Sequence, residues 1–266
     1  MKIGVFDSGL GGLVMLRALT RRLPEYDYIY LGDTQRVPYG NRSAQTIYRF
    51  TEQAVATLFR RGCAIVVLAC NTASAAALRR LQREWLPRHY PDRRILGVIV
   101  PTVEAVVGTG RGPLGIIGTN LTIESNVYGR EIRKRQPRRR IWQQATPLLV
   151  PLIEHNMLPL ADPILRSYLR SFRAHRITSL ILGCTHYPLA AGKIQRIVGP
   201  AVTIVRQDRL VPQKFADYLR RHPELVRRLS RTGRRKVLLT DITPTAAGLI
   251  ERWFGKRMRP WKIRLA

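Results

Sequence analysis

Two stretches of this chain end an apolar run in a cysteine followed at once by small polar residues: VVLACNTAS, with Cys70, and LILGCTHYP, with Cys184. The cysteines lie 114 residues apart. An earlier pair of like segments, KIGVFDSGLGG and PLGIIGTNLT, repeats at nearly that offset, Ser8 and Thr119 being 111 apart. This internal duplication restricts the chain to a fold built twice, each copy an apolar strand, a polar loop, a helix, and later a strand closing on cysteine. A free cysteine by itself is most often a buried core thiol. Two of them, each where a loop from strand to helix should open and each beside hydroxyl, amide or imidazole groups, point instead to one site assembled from both copies.

Short apolar runs at 2–7, 27–31, 64–69, 95–99, 113–117, 140–145, 178–182, 201–205 and 236–240 read as strands, most followed by helical periodicity such as SAQTIYRFTEQAVATLFRRG. That alternation predicts an α/β protein with mostly parallel sheets. Ligands of such sheets bind beyond the carboxyl ends of the strands, where Asp7, Cys70, Thr119 and Cys184 all fall. The second copy begins near Gly97–Pro101 and its sheet ends near Val205. The remaining helix, strand and helix are expected to pack back on the first half. The expected division is a discontinuous domain of residues 1–97 plus 208–266 and a second domain of 98–207.

At 266 residues and 45% hydrophobic the chain can bury a good core. The N-terminus passes straight into a strand-like MKIGVF, with no long apolar h-region, and no apolar run reaches the length of a membrane span. A cytoplasmic protein with no membrane association is therefore expected. Three cysteines without a CxxC pair or a histidine at ligand spacing argue against a disulfide framework or a structural zinc, and no metal is expected. Cys63, in RRGCAIVV, has no polar cluster around it and reads as structural.

The segments FDSGLGG (6–12), GDTQRVPYG (32–40), ACNTAS (69–74), the PLIE around Glu154 and LGCTHYPL (182–189) together resemble the signature set of glutamate racemase, in the cofactor-independent aspartate/glutamate racemase superfamily. The likeness runs from residue 2 to about residue 254. Any one segment alone is a weak signal, whereas DSGxGG, ACNT and GCTHYP in this order are specific. The resemblance implies two pseudo-symmetric, flavodoxin-like, three-layer α/β domains with the active site between them. It implies interconversion of L- and D-glutamate without cofactor, supplying D-glutamate for peptidoglycan.

Two thiols suit that chemistry. Inverting an α-carbon requires the proton to leave one face and a new one to arrive on the other, and a base that kept its proton would return it. A cysteine titrates close enough to neutrality to act as base when ionised and as acid when not. By resemblance, Cys70 deprotonates D-glutamate and Cys184 L-glutamate. Asp7 beside Cys70, and His186 with Glu154 beside Cys184, match the auxiliary acid/base groups. Asp7 alone could equally be a helix cap, and His186 an ordinary loop histidine. Ser8, Asn71, Thr72 and Thr185 offer short donors at helix N-termini, where backbone N–H groups favour a carboxylate. Asp7 and His186 join them as expected substrate contacts. Pro38, Tyr39 and Gly40 match a loop over the substrate side chain, and either Thr119 or Thr122 adds a contact. Gly9, Gly11 and Gly12 lack the spacing of a nucleotide loop and read as a tight turn with close backbone approach.

The charge is outside this pattern. Against 17 acidic residues stand 46 basic ones, all but seven of them arginine, for a formal net charge of +29. Runs at 79–94, 130–140 and 220–236 lie outside every motif, on expected helix faces and loops. They could be a solvated, arginine-biased surface or a site for non-specific polyanion binding. Beside a glutamate racemase, an aspartate racemase or related superfamily enzyme and a polyanion-binding protein remain open from the sequence. A homodimer is expected.

Overall fold

The computed structural model describes residues 1–108, 110–254 and 258–265. Ten strands occur among these: β1 (Lys2–Asp7), β2 (Tyr28–Gly32), β3 (Cys63–Leu68), β4 (Arg94–Gly97), β5 (Leu114–Gly118), β6 (Ile141–Ala145), β7 (Ser179–Gly183), β8 (Thr203–Val205), β9 (Arg235–Leu239) and β10 (Pro260–Lys262). They form a six-stranded sheet in the order β10-β9-β2-β1-β3-β4 and a four-stranded sheet in the order β6-β5-β7-β8, with every pairing parallel. The block β2-β1-β3-β4 thus recurs as β6-β5-β7-β8. This is the duplication seen in the sequence, with β3 and β7, the cysteine strands, in equivalent central places.

Alternation along the buried strands makes three layers in each half. Ile65 and Val67 of β3 face the cluster that also holds Leu13, Leu16 and Leu19 of the helix Gly12–Arg22, while Val66 and Leu68 face Ile47, Val55 and Leu58 of the helix Ala44–Arg60. In the second half Leu180 and Leu182 join the first of these clusters, and Ile181 faces Val103, Tyr128 and Ile132 on the other side. One cluster is therefore continuous through both halves. Each such fully buried Leu or Ile contributes about 1.5–3 kcal/mol of transfer free energy. Helix boundaries follow local chemistry: Ser43 caps Ala44–Arg60 by accepting from Thr46 N at 3.2 Å, and Gly62, at a φ of +85°, turns the chain out of it into β3.

Three details differ from the sequence reading. The strand expected at 95–99 ends at Gly97, because Ile99 already begins a helix, Ile99–Gly108. β10 was not expected, being three residues long and opening on a proline, which only an edge strand tolerates. Arg139, in a run expected to be a charged surface, is buried, and its guanidinium donates to the carbonyls of Gly112 and Val106.

Candidate active site

The carboxyl ends of β1, β3, β5 and β7 converge on a cavity of about 290 Å³ between the two sheets, bounded also by the loop 37–41 and the helix Leu149–Glu154. Ser8, Pro38, Tyr39, Gly40, Cys70, Asn71, Thr72, Thr119, Cys184, Thr185, His186 and Glu154 all line it. Residues far apart in sequence come together because most of them follow inner strands of the two halves, with Glu154 added from the helix after β6.

Cys70 is 5% exposed and is the N-cap of the helix Asn71–Arg80. Its Sγ accepts from Ala73 N at 3.4 Å and lies 3.4 Å from Ser8 Oγ. Burial, with the nearby Asp7 charge, pushes this thiol up to about 12 against those two hydrogen bonds, so unliganded Cys70 holds its proton.

Cys184 has different company. Its Sγ is 3.7 Å from His186 Nδ1, and His186 Nε2 is 2.9 Å from Glu154 Oε1, a relay from carboxylate through imidazole to sulfur. Burial works to lower the His186 pKa, but the hydrogen bonds and charges of Cys184 and Glu154 outweigh it and raise the pKa to about 10. Burial likewise works to raise Glu154, and its hydrogen bond to His186 holds it below the ordinary carboxylate value. The Glu154–His186 pair is therefore a carboxylate and an imidazolium at neutral pH.

Asp7 and Thr122, expected among the ligand contacts, stand behind the cavity wall. Asp7 is 1% exposed; Oδ2 accepts from Gly9 N at 3.0 Å and Oδ1 from Thr185 Oγ1 at 3.2 Å, so it bridges the two halves. Burial raises its pKa despite the opposing His186 charge. Thr122 supports the hydroxyls in front of it, at 2.9 Å from Thr119 Oγ1 and 3.3 Å from Thr72 Oγ1, and of the two candidate threonines it is Thr119 that lines the cavity. Asn71 lines the cavity too, but its side chain is also tied to Gln207 and Tyr128. The Tyr39 hydroxyl donates to Asp33 Oδ2, which leaves the tyrosine anchored in place rather than free to grip a ligand with its oxygen.

Two glycines set the closeness of the halves. A Cβ on Gly11 would lie 2.4 Å from His186 Nδ1 and 2.5 Å from Thr185 Oγ1, and one on Gly40 would lie 2.8 Å from Thr119 Cβ. Any larger residue at Gly11 would push the first half off the imidazole.

Sequence reasoning missed several neighbours. Val150, Pro151 and His155 line the cavity beside Glu154, a placement implicit in PLIE standing on a helix that ends there. Trp253, in the helix Pro244–Phe254, sets its ring edge against His186 with centroids 5.6 Å apart. Gln207 and Tyr128 had no local signal at all. Cys63 is a buried thiol at the start of β3, in the cluster with Leu58 and Phe59. Among the described residues no cluster of three or more His, Cys, Asp or Glu is placed to hold a metal ion, and no helix is long and apolar enough to cross a membrane.

This arrangement has counterparts in known proteins. A family model described as Asp/Glu/Hydantoin racemase matches residues 10–206. A glutamate racemase of Cereibacter sphaeroides is 42% identical over 239 residues, 85% of this chain and 87% of that protein. A glutamate racemase isoform from Bacillus anthracis superposes with a TM-score of 0.90 at 30% identity, covering 99% of this chain and 97% of that one. A glutamate racemase from Francisella tularensis, solved in complex with D-glutamate, superposes with a TM-score of 0.88 at 29% identity over the same shares. With the match spanning most of its length, both halves of the duplication and the strand ends that carry the cysteines, this chain belongs to the Asp/Glu/Hydantoin racemase family, with the glutamate racemases.

Proposed function

We propose that the protein is a glutamate racemase that moves the α-proton between two cysteines on opposite faces of the substrate. The observation that carries this reading is the placement of Cys70 and Cys184 after equivalent strands of the two halves, on the walls of one cavity. Their surroundings are unequal in a useful way. In this reading Cys184, next to the His186 imidazolium, serves as the base for L-glutamate, and Cys70, buried against Asp7 and holding its proton, serves as the acid.

L-Glutamate enters with its α-hydrogen toward Cys184. The thiolate takes that proton and becomes a thiol, the α-carbon carries the electron pair, and the Cys70 thiol delivers its proton to the other face and becomes the thiolate. D-Glutamate leaves, and the reverse reaction runs from the swapped state. The Glu154–His186 relay and Asp7 return the two sulfurs to their starting charges. The substrate carboxylate is met by short donors at the loop-to-helix turns, Ser8 and the Asn71–Thr72 turn, with Thr185 held beside them by its bond to Asp7. The carbanion is a poor one, and its stabilisation rests on these fixed donors in a site that excludes water. The product D-glutamate supplies peptidoglycan. The domain division we propose follows the sheets: residues 1–97 with 208–266, and 98–207, with residues 109, 255–257 and 266 outside the described residues.

Circular dichroism of the purified protein with L-glutamate and, separately, L-aspartate, without pyridoxal phosphate, tests the substrate. The expected result is a signal decaying to zero with glutamate and steady with aspartate. Decay with aspartate alone would reassign the substrate, and decay with neither would overturn the reading.

A further inference from the structure

Gln207 belongs to none of the motifs, yet it is 1% exposed and its amide is the centre of a closed hydrogen-bond circuit. The circuit can run in only one direction. Thr102 Oγ1 donates to Val98 O at 2.6 Å, so the same hydroxyl accepts from Gln207 Nε2, 2.9 Å away. That fixes which end of the Gln207 amide is nitrogen. Gln207 Oε1 then accepts from Asn71 Nδ2 at 2.7 Å, and the other Nε2 hydrogen is shared between the Tyr128 hydroxyl at 2.8 Å and Asn71 Oδ1 at 3.1 Å. Tyr128, kept protonated by burial, passes its own proton to Asn71 Oδ1 at 2.6 Å.

The end point is Asn71, which lines the cavity beside Cys70. Its oxygen accepts from Tyr128 and from Gln207 Nε2, and one Nδ2 hydrogen goes to Gln207 Oε1. The second Nδ2 hydrogen is left over. We infer that Gln207 is a positioning residue for substrate binding, holding the Asn71 amide so that this remaining N–H is presented to the cavity as a donor to a substrate carboxylate. A flipped Asn71 would offer an oxygen to an anion. The inference rests on the racemase reading of the cavity. The circuit also stands where the chain passes between the sheets: Thr102 follows β4, Gln207 follows β8, and Tyr128 lies beyond β5. The polarity of the donor is thus set at the junction of the halves.

The test is steady-state kinetics on Gln207→Met, which keeps the volume and removes the circuit, beside Tyr128→Phe and Asn71→Ala. Loss of a directed hydrogen bond to a charged group predicts that Gln207→Met raises KM for glutamate about tenfold or more. The kcat should fall less. Tyr128→Phe, which keeps Gln207 but withdraws the proton given to Asn71 Oδ1, should raise KM in the same direction, and Asn71→Ala should set the upper bound. A purely structural role would lower Tm and the active fraction, hence kcat, and leave KM alone. Wild-type KM in Gln207→Met, with Asn71→Ala raised, overturns the inference and leaves the racemase reading intact. If Gln207→Met does not fold, an unchanged KM in Tyr128→Phe overturns it. A wild-type protein that does not racemise glutamate overturns both.

Discussion

Replacing Cys70 or Cys184 with serine lowers kcat by roughly 10³-fold or more, because a serine hydroxyl neither takes nor gives the α-proton at neutral pH while general acid–base transfer carries an effect of that size. Either substitution alone should suffice, since the proposed mechanism uses one sulfur as base and the other as acid in each turnover. The fold should survive. At position 70 serine is a good helix N-cap and keeps an acceptor for Ala73 N, so Tm is expected to stay near that of the wild type. Because free enantiomers have an equilibrium constant of one, kcat/KM must fall by the same factor in both directions. Turnover near the wild-type rate in either variant, measured by circular dichroism from both enantiomers, would remove the two-thiol assignment.

His186→Asn should cost about 10²-fold in kcat, because the imidazolium beside the Cys184 sulfur is gone while the sulfur itself remains. The loss should differ between the two directions in kcat and in KM, with their ratio still equal. The same variant carries a stability signature. Folding raises the His186 pKa from 6.5 to about 10, so the folded state holds this proton more tightly. The stabilisation is complete below the unfolded value and is lost as pH rises through about 10. Urea unfolding between pH 6 and 10 should therefore show a decline in the wild type that is absent from His186→Asn. Parallel profiles would mean that the proton is not held by this relay. Asp7→Asn should act less strongly, since Asp7 reaches the cavity only through its neighbours Thr185 and Cys70.

The parts of this molecule that are local in sequence could be read there. β3 and β7 are largely apolar runs that lead through Ala69 and Gly183 into Cys70 and Cys184, and the duplication alone puts them in equivalent positions. What was not legible depends on direction and on distant partners. Asp7 ends β1 next to Ser8, yet its carboxylate is taken up by Gly9 N and Thr185, the second a residue 178 positions away. Thr119 and Thr122 are alike on paper; the N-cap position puts Thr119 in front and the helix turn puts Thr122 behind. Gln207 is one polar residue in VRQDRL, and only the approach of Thr102, Tyr128 and Asn71 makes it the hub of a network. Arg139 shows the converse, since a run of arginines reads as surface until one of them finds three carbonyl-type acceptors inside.

Racemisation of L-glutamate in deuterium oxide, sampled within the first few per cent of conversion, tests the two-thiol mechanism most directly. In the proposed mechanism Cys184 takes the substrate's proton on one face, and Cys70 delivers a solvent-derived deuteron to the other. The D-glutamate formed should therefore carry deuterium at the α-carbon, while the L-glutamate not yet converted carries almost none. Product that retains the original hydrogen, or deuterium appearing equally in both enantiomers from the outset, would mean that a single group serves both faces and would contradict the mechanism.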